Sequence, residues 1–144
     1  MSVEIAWEVE ARPVSDEALC SAVAAALDFG GESGREVSLA LVSDETLAEL
    51  HGRFLDDPSK TDVMSFLLEE DEDGDGAWGE VIVSVDRARE VAKERGLAFE
   101  REVVLYVVHG TLHLCGFDDH EDEDRAEMRA AEAAVLAKLG YPSE

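Results

Sequence analysis

The chain predicts an α/β (α+β) domain: one mixed sheet of about four strands packed against helices, with a buried helix at its centre. Three observations carry that expectation. Four short apolar runs, Val3–Val9, Val37–Val42, Val63–Leu68 and Val81–Val85, have strand length and are bounded by turn residues. Segments of helical period precede, separate and follow them. Finally, 144 residues with 46% apolar side chains make one ordinary domain with a real core, so residues 1–144 read as a single unit.

In chain order, Val3, Ile5, Trp7 and Val9 alternate with Glu4, Glu8 and Glu10, a strand with one wet face. Ser15 then caps a helix whose first turn holds Asp16 and Glu17 and which runs to about Leu27. Gly30, Gly31 and Gly34 mark a loop. After the strand Val37–Val42, Ser43 caps a short helix through Leu50, with His51 at its end, where the helix dipole favours it. The strands Val63–Leu68 and Val81–Val85 flank an acidic, Gly-containing loop. In that loop Asp71, Asp73, Asp75 and Gly76 match the first half of a calcium loop. Its twelfth position is Ile82 and its flanks read as strands, so a solvated hairpin loop is expected instead.

From Asp86 the period turns helical, with Ala88, Val91 and Ala92 on one face and Gly96 as the stop. Val103–Leu114 is a nearly continuous apolar helix, hence central and buried, and Gly116 ends it. A last helix, from about Glu121 to Leu139, begins with acids that suit the positive end of its dipole. Trp7 and Trp78 have no basic context and read as packing residues rather than a base-stacking platform.

Charge narrows the function classes. There are 35 acids against 12 bases, a net charge of −23, which repels phosphate backbones and excludes nonspecific nucleic-acid binding through a basic surface. No DNA partner is expected. The excess fits either a solvated acidic surface or a cell interior with high salt. No run of 18 apolar residues exists, and Glu4, Glu8 and Glu10 interrupt the segment a signal peptide would need. With only Cys20 and Cys115 available for disulfides, a cytoplasmic protein with no membrane partner is expected.

Three of the four histidines, His109, His113 and His120, fall within twelve residues. His109 and His113 are four apart, so on a helix both imidazoles can bind one metal ion. Gly116 lets the chain turn back and bring Asp118, Asp119 or His120 as a third ligand. Three protein ligands with one open position make a catalytic site, and nitrogen with oxygen donors suits one zinc ion per chain. A zinc peptidase places a general-base Glu directly after the first His; here Gly110 stands there. Cys115 lies on a different helical face from the histidines and reads as a buried apolar thiol.

The segment His109-Gly-x-Leu-His-Leu-x-Gly-Phe-Asp resembles the signature of the YbeY endoribonucleases. Thr61-Asp62-Val63-Met64-Ser65-Phe66 and Gly79-Glu80-Val81-Ile82-Val83-Ser84 are similar to two strand motifs of the same family, in the same order. The resemblance spans roughly residues 37–139. It implies a mixed α/β domain, a zinc site on the central helix and single-stranded or ribosomal RNA as substrate. A role in ribosomal RNA maturation and ribosome quality control follows, with the ribosome or assembly factors as partners.

Two departures qualify it. The family's third His ligand falls at Asp119, and His120 comes one residue later; Asp119 is favoured because His120 would need an extra residue in the turn. The family's RNA-contacting Arg falls at Leu55, where Arg53 can substitute only if the local chain is extended. The catalytic set expected is therefore His109, His113, Asp119 and Arg53. An RNA enzyme this acidic also needs a local positive groove, for which Arg53, Lys60, Arg87 and Arg89 are available. The alternatives are a non-catalytic, metal-stabilised assembly module, or a metal hydrolase of another substrate, which the absent Glu disfavours.

Overall fold

Alternating apolar positions give each strand two usable faces, and the protein uses both. The computed structural model describes residues 3–55, 63–68, 78–117 and 121–141, with backbone alone for 50–55. Its elements run β1 (Val3–Trp7), α1 (Asp16–Phe29), β2 (Val37–Val42), α2 (Asp44–Leu55), β3 (Val63–Leu67), β4 (Gly79–Ser84), α3 (Val85–Arg95), α4 (Phe99–Leu114) and α5 (Asp122–Leu139). The four strands form one mixed sheet in the order β1-β2-β4-β3. β1 pairs with β2 and β2 with β4 in parallel, while β3 runs antiparallel to β4 with Ser65 opposite Val81.

Leu39, Leu41, Val81 and Val83 point to the larger core, shared with α1, α4 and α5. Val42, Ile82 and Met64 point the other way and pack with Leu47 of α2 in a smaller cluster. The period of two thus sorts the strand residues between two helical layers. α4 is the hub: it touches β3, β4, α1, α3 and α5. The expectation of a central buried helix is met along Val103–Leu112, where Val103, Val104, Val107, Val108 and Leu112 are fully buried.

Most element ends fall within two residues of those read from the sequence; two lie further off, and Val85 changes element. Val85 opens α3 instead of closing β4, because the Ser84 hydroxyl accepts from the Arg87 backbone N–H and starts the helix there. α4 begins at Phe99, four residues before its apolar run, since Arg101 and Glu102 are buried as a mutual pair with Nη1 2.8 Å from Oε1. α2 continues to Leu55, past Gly52, which puts His51 inside the helix and not at its end. The stop at Gly96 holds, a left-handed C-terminal cap at φ +67°, and Gly140 closes α5 in the same way at φ +89°. The acidic loop of residues 69–76, including the calcium-like Asp71–Gly76, lies outside the described residues.

Candidate functional site

The three segments that carry the family resemblance meet in space. β3 and β4 pair, and α4 lies across both. Gly110 makes that close approach possible. A Cβ there would lie 2.6 Å from Val81 Cγ1 and 2.9 Å from Val63 Cγ2, and the Ser65 hydroxyl donates to the Gly110 carbonyl at 2.8 Å. The position after the first His therefore faces the sheet, and the general-base Glu of a zinc peptidase has no room in this packing.

With Gly110 seated on the sheet, His109 and His113 are turned towards the side where α5 packs. Their rings lie nearly parallel, 8° apart with centroids separated by 6.4 Å. His109 is half-buried and His113 exposed. His109 Nδ1 is 2.7 Å from Oε2 of Glu132, a carboxylate on α5. The expectation that the two imidazoles meet on one helical face is thus realised.

α4 stops directly after His113. The Phe117 N–H donates to the Leu112 carbonyl at 3.1 Å and the Gly116 N–H to the His113 carbonyl at 3.1 Å, a closing turn that needs Gly116 at φ +107°. Phe117 then packs against Phe29 of α1, ring centroids 6.0 Å apart. Asp118, Asp119 and His120, the three candidate third ligands, lie outside the described residues, as do Lys60, Thr61 and Asp62. Among the described residues no three metal-binding side chains converge.

Cys115 sits against Gly30, where a Cβ would come within 2.5 Å of its sulfur, and burial pushes its thiol up to about 11. It is a packing thiol, as expected. Trp7 and Trp78 also pack on the core, but the absence of a basic context read from the sequence is corrected: folding brings the Arg12 and Arg35 guanidinium groups over their rings.

The cations are placed less favourably. Arg53 lies in helical backbone, where positions 53 and 55 fall about 160° apart round the axis, so the extended geometry in which Arg53 would replace an Arg at position 55 is absent. Arg89 stacks over Phe99 at the far end of α4, about 15 Å along the helix from His109. Arg87 pairs with Glu90 at 3.5 Å.

Glu132 is the residue that sequence reasoning missed. It is 23 positions from His109, beyond any local spacing rule. Its signal lies in α5, whose buried stripe Met128, Ala131, Val135 and Leu136 is apolar except for this one acid.

Known proteins are similar to this chain over most of its length. The family model described as Endoribonuclease YbeY matches residues 5–140. A relative named Endoribonuclease YbeY from Desulfitobacterium hafniense is 38% identical, over 97% of this chain and 98% of its own. Another of that name, from Carboxydothermus hydrogenoformans, is 40% identical over 87% of this chain and 89% of its own. A solution structure of a Thermotoga maritima protein shares the fold, with a TM-score of 0.62 over 96% of this chain and 91% of that one at 24% identity.

Proposed function

This chain belongs to the YbeY endoribonuclease family, hydrolases of RNA phosphodiester bonds, and on that premise we propose that it is a zinc enzyme. Its substrate is single-stranded RNA, and its work is ribosomal RNA maturation and ribosome quality control in the cytoplasm, alongside the ribosome or its assembly factors. The observation that carries this reading is the pair of parallel imidazoles one helical turn apart, just before a turn rich in acids.

The residues fit the ion. His109 and His113 would hold it, with Asp119 as third ligand in the register where the family places its His. A carboxylate oxygen binds zinc at about 2.0–2.2 Å, close to the imidazole distance. His120 is the alternative, at the cost of a longer turn. Nitrogen donors favour zinc over magnesium or calcium. When bound, the ion lowers the pKa of a coordinated water and polarises a phosphoryl oxygen. The chain itself contributes a rigid seat for the imidazoles through Gly110 and Ser65.

A second reading, a metal-stabilised assembly module without nuclease activity, is favoured by Leu55 at the family's Arg position and by the helical backbone of Arg53. One experiment separates them: cleavage of single-stranded RNA with and without chelator, beside metal analysis of unsupplemented protein. The enzyme reading expects bound zinc, cleavage that stops with chelator, and cleavage lost in His113→Ala. Zinc without cleavage favours the module, and cleavage indifferent to chelator and to His113→Ala overturns the metal mechanism. For the third ligand, Asp119→Ala should cost most of the zinc affinity and His120→Ala much less; the reverse order identifies His120.

A further inference from the structure

A carboxylate in an apolar stripe is costly unless a hydrogen-bonding partner offsets its desolvation. Glu132 is 8% exposed, on the face of α5 that otherwise buries Met128, Ala131, Val135 and Leu136. Its partner is His109 Nδ1 at 2.7 Å, a length in the charge-assisted range. A carboxylate has no proton to give, so the ring nitrogen donates, and the proton of the neutral imidazole sits on Nδ1. The ring's acceptor lone pair then falls on Nε2, at the opposite edge. Here α5 does for His109 what its own helix cannot: it selects one of two tautomers and fixes the ring's rotation.

We infer that Glu132 is a positioning residue, which holds His109 in the Nδ1–H form and presents Nε2 to a transition-metal ion shared with His113. The neighbouring ring of His113, its centroid 6.4 Å away, makes this matter, since one ion can be shared only if each ring turns a nitrogen lone pair towards it, and a fixed rotation of His109 supplies one of the two. Carboxylates behind metal-binding histidines commonly act this way, setting the tautomer and raising ligand basicity. The inference rests on the metal reading above for its purpose. The tautomer, however, belongs to the chain without metal.

The competing role is a plain strut joining α4 to α5, and stability alone would not tell the two apart. The test therefore uses two other readouts on the full chain, for wild type, Glu132→Ala and Glu132→Gln, with folding checked by circular dichroism. In the metal-free protein, nitrogen-15 NMR of the histidine rings reports which nitrogen of His109 carries the proton. In parallel, cobalt(II) affinity is measured by chelator competition. Glu132→Ala should lose the Nδ1–H form and bind cobalt about 10–100-fold more weakly. Glu132→Gln keeps an acceptor oxygen, so it should recover the tautomer and most of the affinity. An Nδ1 proton and cobalt affinity unchanged in Glu132→Ala would overturn the inference. Wild-type protein that binds no cobalt overturns the metal reading instead, while the tautomer arm still decides the positioning: loss of the Nδ1 proton in Glu132→Ala upholds it, and retention refutes it.

Discussion

Cys115 illustrates how packing at a single residue sets chemistry. Its thiol, pushed up to about 11 by burial, is almost wholly protonated at pH 8. Because the thiolate is the nucleophile, iodoacetamide should label it roughly two orders of magnitude more slowly than an ordinary thiol. Mass spectrometry of a labelling time course measures this, and labelling at the ordinary rate would contradict the packing. The sign of the stability effect follows: between about pH 9 and 11 the folded chain holds a proton that the unfolded chain has lost, so stability falls as pH rises through that window. Tyr141, whose hydroxyl donates to Glu100 at 2.8 Å and is pushed up mainly by burial to about 12, extends the loss upward. At this scale the histidine pair of the candidate site was legible. His109 and His113 follow from a spacing of four, and Gly116 from its place after them. Glu132 was not, because its partner is fixed by how two helices cross and not by distance along the chain. Arg53 failed as a stand-in for the same kind of reason: whether positions 53 and 55 share a face depends on a backbone state that no nearby stop residue announced.

Among the elements, the helix starts show what local rules can and cannot see. Ser15 and Ser43 read as caps from the sequence, and their hydroxyls accept from the Ala18 and Thr46 N–H groups at 3.1 Å each. Ser84 was hidden inside an apolar run. It is fully buried, accepts from the Arg87 N–H and donates to Asp44 Oδ1 at 3.3 Å, while Asp86 Oδ2 accepts from the Asp44 N–H at 2.9 Å. The N-termini of α2 and α3 are therefore tied to each other across the end of the sheet. Ser84→Ala removes a cap and leaves the Arg87 N–H without its acceptor, a loss of about 1–2 kcal/mol. Urea unfolding would register it as a lower midpoint at unchanged slope; a loss under about 0.5 kcal/mol would show that water replaces the hydroxyl. The early start of α4 was illegible for a different reason. Phe99–Glu102 carries no apolar period, and the burial of Arg101 and Glu102, paired with each other at 2.8 Å, is not announced by their side-chain types.

Across the whole molecule, a net charge of −23 means that folding gathers carboxylates against their mutual repulsion. Screening shortens its reach, from about 10 Å at 0.1 M salt to about 3 Å at 1 M. The melting temperature should therefore rise between low and molar potassium chloride, by roughly 3–5 °C for each kcal/mol recovered in a domain of this size. A flat or falling curve would remove the view that the acidic surface suits a saline interior. The architecture was legible at this scale because period-2 runs and one apolar helix leave few ways to layer a chain this short. The strand order was not, since parallel and antiparallel neighbours share the same local pattern. The hub position of α4 has one more consequence, which concerns time. Proteins open piecemeal, and segments with few neighbours exchange their amide hydrogens first. A helix gripped by the sheet and three other helices yields only when the whole domain yields. His109 and His113 ride on that helix, so two of the ligands of an ion held there would keep their places while segments with fewer neighbours open and close.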